Sequence, residues 1–214
     1  MSTYDLEEQE QIATLKSWWK EHGNLVLGAV TVVLAVFAAW NGWKWHVRTQ
    51  AVQAAALYET LQKAARVGDA KSARDAAGTI LEKYSSTTYA PLAALISAKV
   101  SYQTGDPKTA KAQLQWVVQN AKSEELRAVA RLRLASVLLD ENAYDDALKT
   151  LESKPSSAFD ALTLSLKGDI LVAQKKTAEA RSAYRSALEK IDPKDLSMRE
   201  SLRLKLDTLG ESQG

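Results

Sequence analysis

The residue types that carry most enzyme chemistry are scarce in this chain. None of its 214 residues is cysteine, which removes thiolate nucleophiles, disulfides and cysteine metal sites together. The two histidines, His22 and His46, stand at opposite ends of a long uncharged run, so they cannot share a metal or act as one acid–base pair. Adjacent carboxylates occur at Glu124-Glu125 and Asp145-Asp146. Each pair opens an apolar-periodic segment, where acids complement the positive end of a helix dipole. The serines after His46 have no histidine to activate them. Gly105-Asp106-Pro107 is a helix connector and lacks the spacing of a phosphate-cradling loop. The expected protein is therefore not an enzyme, takes no cofactor, and works by binding.

The uncharged run decides where that binding happens. No aspartate, glutamate, lysine or arginine occurs from His22 to Trp43. At about 1.5 Å per helical residue this stretch crosses a hydrocarbon core of roughly 30 Å. Trp18 and Trp19 precede it, and Trp40, Trp43 and Trp45 close it. Indole rings favour the headgroup level, half buried with the N–H wet, so tryptophans at both ends mark a span. A cleaved signal peptide would have a short basic leader and a small-residue site directly after its apolar core. Here the leader is acidic, and the nearest small-residue site, Ala54-Ala55-Ala56, lies well downstream. The run is read as a retained anchor, dividing the chain into an acidic tail (1–21), a transmembrane helix (22–43) and a C-terminal domain (44–214). Two basic residues lie close before the span (Lys16, Lys20) and three close after it (Lys44, Arg48, Lys63), so charge counting leaves the orientation open.

The C-terminal domain repeats itself. Gly68, Gly105, Asn142 and Lys175 are each followed five residues later by an alanine: Ala73, Ala110, Ala147 and Ala180. Glycine or asparagine suits a turn in which one residue must be left-handed, and Lys175 suits it least. The alanine belongs where two helices cross closely. Four residues further on comes a plug: Ala77, Leu114, Leu151 and Tyr184. Seven residues before the turn a small residue recurs as Ala98, Ala135 and Gly168, with Leu61 in the atypical first unit. Asp106-Pro107 and Ser123 read as helix starts, and Ser85-Ser86-Thr87-Thr88 and Lys154-Pro155-Ser156-Ser157 as connectors. Leu196, Leu202, Leu206 and Leu209 form a closing amphipathic helix ending at Gly210. Alanine spacings of 37, 37 and 33 residues match helical pairs of tetratricopeptide type. The fold class is all-α: one N-terminal transmembrane helix followed by a tetratricopeptide-like helical-repeat solenoid.

Charge adds little about partners. Residues 44–214 hold 26 basic and 21 acidic side chains, an excess too small for nucleic acid. First helices of successive pairs build a concave surface in such solenoids, and Lys99 and Tyr102 are candidates there for gripping a partner segment. Tyr102 packing between repeats is the equal alternative. In the span, Gly28, Thr31, Ala35, Ala38 and Gly42 recur at three- and four-residue spacing, and small residues in that pattern permit close helix docking.

The opening Leu6-Glu7-Glu8-Gln9-Glu10-Gln11, Trp18-Trp19-Lys20, the single span and about three and a half repeat units together resemble the YfgM family of ancillary SecYEG translocon subunits, over essentially the whole length. The resemblance implies a cell inner-membrane protein with a cytoplasmic N-terminus and periplasmic repeats. It also implies partnership with the SecYEG translocon and a membrane-anchored periplasmic prolyl isomerase, passing emerging client chains to periplasmic chaperones. The tail is implied to restrain a cytosolic stress-response regulator. An envelope-assembly scaffold is the alternative, since peptide-binding repeats would suit it equally.

Overall fold

A computed structural model describes residues 3–152 and 157–210, with side chains 3–7, 9 and 157 excepted. Every regular element among the described residues is helical. The chain forms two compact units, 1–50 and 51–214. The predicted connector residues Lys154, Pro155 and Ser156 lie outside the described residues.

Helix α1 runs from Thr3 to Val67. Its portion in the first unit is solvent-exposed almost throughout, including Leu25, Val33, Phe37 and Trp43. A water-soluble unit would not leave such a run uncovered. It is the one described helix long and apolar enough to cross a membrane.

The second unit is a row of helical pairs. The end of α1 pairs with α2 (Ala70–Lys83), α3 (Tyr89–Gln103) with α4 (Pro107–Asn120), α5 (Glu124–Asp140) with α6 (Tyr144–Leu151), and α7 (Asp160–Ala173) with α8 (Thr177–Lys190). A 3-10 turn, Ser157–Phe159, precedes α7, and α9 (Leu196–Thr208) closes the row. The described residues thus hold four pairs and a closing helix, where the sequence suggests about three and a half units.

All four expected turn residues are left-handed: Gly68 at φ 77°, Gly105 at 78°, Asn142 at 61° and Lys175 at 63°. In each turn the residue that follows donates its N–H back to a carbonyl five residues earlier, as in Asp106 to Ser101 at 2.9 Å and Lys176 to Leu171 at 2.9 Å. That bond satisfies a carbonyl that the helix end would leave orphaned. In the first two turns the same residue caps the next helix, because Asp69 accepts from the Ser72 N–H and Asp106 from the Thr109 N–H. These capping bonds hold both carboxyls below the usual carboxylate range. Lys175 adopts the turn despite its side chain, since the packed helices on either side over-determine it. Lys175→Gly is therefore expected to raise stability by about 0.5–1 kcal/mol, the left-handed strain outweighing glycine's extra unfolded-state entropy. A thermal melt that falls below the parent's would refute this.

The four crossing alanines are completely buried, as are Ala77, Leu114 and Tyr184 to within a few per cent. Ala98, Ala135 and Gly168 are buried opposite them, and Leu61 fills the same place in the first pair. Gly168 has the clearest steric reason, because a Cβ there would clash with the Tyr184 ring. Of the closing leucines, Leu202 and Leu206 are buried and Leu209 partly so, but Leu196 is exposed. It is the first residue of α9 and is 72% exposed.

A second regularity links each pair to the next. The residue after the crossing alanine reaches the end of the following first helix: Arg74 Nη1 to Thr104 Oγ1 at 3.4 Å, Lys111 to Glu141, and Arg181 Nη2 to the Leu209 carbonyl at 2.8 Å. A cation at a helix C-terminus is favoured by the dipole and by the free carbonyls. In the third pair that place is Leu148, and the link runs instead from Gln174 Nε2 to Asp145 Oδ1 at 3.0 Å.

Candidate partner-binding face and membrane segment

First helices α3, α5 and α7 lie side by side. On α3, Lys99 is exposed, and Tyr102, three residues on, shares its face with 41% of its surface open. The Tyr102 hydroxyl donates to Asp140 Oδ2 at the end of α5. That bond to a carboxylate pushes the phenol upward from its ordinary value. The tyrosine therefore ties neighbouring repeats, as the packing alternative expects, while part of its surface stays open to solvent. Arg133 Nη1 approaches the Leu95 carbonyl at 3.4 Å, a further tie between α5 and α3.

Two residues of this face escaped the sequence reading. Val172 occupies the place in α7 that Tyr102 occupies in α3, three before the left-handed turn, and is 39% exposed. Leu162, near the start of α7, is 45% exposed. Aligning the units on their turns finds Val172; its exposure does not follow from the sequence, where apolar residues are presumed buried. The exposed side chains so found are Lys99 and Tyr102 on α3 and Leu162 and Val172 on α7.

The acid pairs are structural. Glu124 accepts from Arg127 Nε at 2.8 Å and from Arg131 Nη1 at 2.8 Å, which keeps its carboxyl below the usual range. Ser123 caps α5, its Oγ accepting from the Leu126 N–H at 3.2 Å. Asp145 and Asp146 sit in the first turn of α6. No cluster of metal-ligating side chains occurs among the described residues.

In the first unit, Gly28, Thr31, Ala35, Ala38 and Gly42 are all exposed along one helix face, and a Cβ added to Gly28 or Gly42 would meet nothing. The Thr31 hydroxyl donates to the Leu27 carbonyl at 2.7 Å, so it carries no unmet polar demand into a bilayer. His22 stacks on Trp18 with ring centroids 5.3 Å apart, and His46 lies 3.0 Å from the Gln50 amide nitrogen. Being 24 positions apart on one helix, the two histidines are separated by about 36 Å.

The sequence that builds this arrangement is similar to known proteins over most of its length. A family model described as a tetratricopeptide repeat-like domain matches residues 16–211. Proteins named ancillary SecYEG translocon subunit align over nearly the whole chain. The Haemophilus influenzae protein is 30% identical, over 86% of this chain and 90% of its own. The chain belongs to the tetratricopeptide repeat-like YfgM family. Its relative from Neisseria gonorrhoeae is 30% identical over 95% of this chain and 98% of its own, and that from Escherichia coli 28% over 94% and 96%. Among solved structures, MamA residues 41 to the end from Desulfovibrio magneticus RS-1 superposes with a TM-score of 0.55 at 19% identity, covering 74% of this chain and 89% of that one. That likeness concerns the fold alone. The YfgM resemblance and the all-α repeat class read from the sequence are both borne out.

Proposed function

We propose that this YfgM-family member is an ancillary subunit of the SecYEG translocon, anchored by one span and acting through its repeats as a protein-interaction module. The observation that carries the reading is the extent of similarity to proteins so named: it includes the span as well as the repeats. In this reading the tail of residues 1–21 is cytoplasmic and the repeats lie in the periplasm. The exposed residues Lys99 and Tyr102 of α3 and Leu162 and Val172 of α7 take extended segments of emerging client chains, which pass to periplasmic chaperones. A membrane-anchored periplasmic prolyl isomerase is a partner of the repeats, and the tail restrains a cytosolic stress-response regulator. The Gly28, Thr31, Ala35, Ala38 and Gly42 stripe docks the span against translocon helices, since small residues let backbones approach closely. Anchoring makes a second contact effectively intramolecular, which raises avidity without new contacts.

Two experiments test the reading. Protease added outside spheroplasts should digest the chain beyond about Trp45 and spare an N-terminal tag; protected repeats would reverse the orientation. Replacing residues 22–43 with an unrelated apolar helix of equal length should keep periplasmic partners and lose most translocon association. Undiminished association would reduce the span to a tether and the stripe to coincidence.

A further inference from the structure

Acidic residues are missing from the chain for longer than the span itself. None occurs from His22 to Tyr58, and the only lysine or arginine in that stretch is Lys44 or Arg48. Both cations are exposed, and neither takes part in an ion pair among the described residues. They stand four residues apart on one helix face, about 6 Å along the axis, with Trp40 one turn earlier on the same face. The Lys44 Nζ lies over the Trp40 ring, 5.2 Å from its centroid. That ring is itself 60% exposed, so the contact positions the ammonium without burying it.

Depth and direction give these cations a target. With residues 22–43 across the bilayer, Trp40 lies at its edge. Lys44 and Arg48 then fall in the first two turns beyond the hydrocarbon, at the level of lipid headgroups. Helical Cα–Cβ bonds tilt toward the helix N-terminus. After the span that tilt points back to the bilayer, and the Lys44 ammonium follows it by reaching back one turn to Trp40. Before the span the tilt points away from the bilayer. There Lys16 and Lys20 also share residues 1–21 with Asp5, Glu7, Glu8, Glu10 and Glu21. The C-terminal end of the span therefore presents unopposed positive charge to the membrane, and the N-terminal end does not.

We propose that Trp40, Lys44 and Arg48 form a recognition site for the phosphate of an anionic lipid headgroup. The site rests on the reading of residues 22–43 as a membrane span and holds for either orientation of it. A guanidinium fork and an ammonium one turn apart can both donate to one phosphodiester. A zwitterionic headgroup offers the same phosphate but carries its own ammonium, which competes for that phosphate and repels the two cations. The preferred lipid therefore has a net negative charge, as phosphatidylglycerol does. The anchor gathers such lipid around this end of the span.

The test reconstitutes the full chain in phosphatidylcholine vesicles containing a small fraction of brominated lipid, either phosphatidylglycerol or phosphatidylcholine. Bromine quenches indole fluorescence on contact, and five of the six tryptophans flank the span, so quenching reports which lipid sits against it. In the parent, brominated phosphatidylglycerol should quench as though enriched roughly threefold or more over phosphatidylcholine. The enrichment should vanish in the double variant Lys44→Gln, Arg48→Gln and persist in the double variant Lys16→Gln, Lys20→Gln. It should also collapse in the parent at about 1 M salt, where the Debye length is about 3 Å, an arm that needs no variant to insert. Equal quenching by the two lipids in the parent would overturn the proposal and leave the cations to an acidic protein segment. Enrichment that survives loss of Lys44 and Arg48 would overturn it as well. Flotation with the neutral vesicles separates the two readings. A chain that floats without selectivity has the span and lacks the site, whereas one that does not float lacks both.

Discussion

Tyr184→Ala is expected to cost about 3–5 kcal/mol, the range for removing a large buried ring. The ring is 2% exposed and packs with Ala187, Ile191, Leu202 and Leu206. Its edge fills the space that Gly168 leaves on α7. Its hydroxyl donates to Asp169 Oδ1 at 2.7 Å, and Lys205 from α9 binds the same carboxylate at 2.7 Å while lying 5.5 Å above the ring. One side chain thus joins α7, α8 and α9. Burial, together with the carboxylate, pushes the phenol well above its ordinary value, so it stays a donor at any physiological pH. Tyr184→Phe keeps the packing and loses only the hydroxyl, at a cost of about 1.5–3 kcal/mol because the acceptor is charged. Hydrogen exchange should report the difference: amides of α9 lose protection first and most in Tyr184→Ala. If α9 stays protected while the rest melts, the tyrosine is not the joint.

Ala147→Leu should destabilise the repeats by about 1–3 kcal/mol through overpacking. Ala147 is fully buried with Ala135, Leu151 and Ile170, so it meets both the helix before it and the helix after it. For a unit of this size that is roughly 2–4 °C of melting temperature per kcal/mol. Ala112→Leu, exposed on α4, provides the control and should stay within about 0.5 kcal/mol of the parent. Equal melts for the two variants would mean that the repeat register is wrong at Ala147.

The repeat register was legible because its causes are local. A left-handed turn followed five residues later by an alanine reflects one chain reversal and one helix crossing, both fixed by nearby residues. Even Lys175, the least suitable turn residue, followed the register rather than its own preference. The contacts that bind the pairs together were not legible. Tyr184 with Asp169 and Lys205, or Tyr102 with Asp140, join positions 15 to 38 residues apart, and no spacing rule brings them together. Neither was the first pair's origin, since its first helix is the end of α1, with no turn residue to announce it. Exposure was read least well. Leu162, Val172 and Leu196 are apolar at helical spacing, a pattern that reads as core, yet each is exposed.

Association with the translocon is the central claim, and one measurement addresses it most directly. The full chain, tagged at its C-terminus, would be isolated from membranes in mild detergent and its co-purifying proteins quantified against a tagged single-span protein of unrelated sequence. Recovery of SecYEG subunits well above that control is the predicted result. Recovery of division or wall-assembly proteins in their place, with SecYEG at the control level, would contradict it.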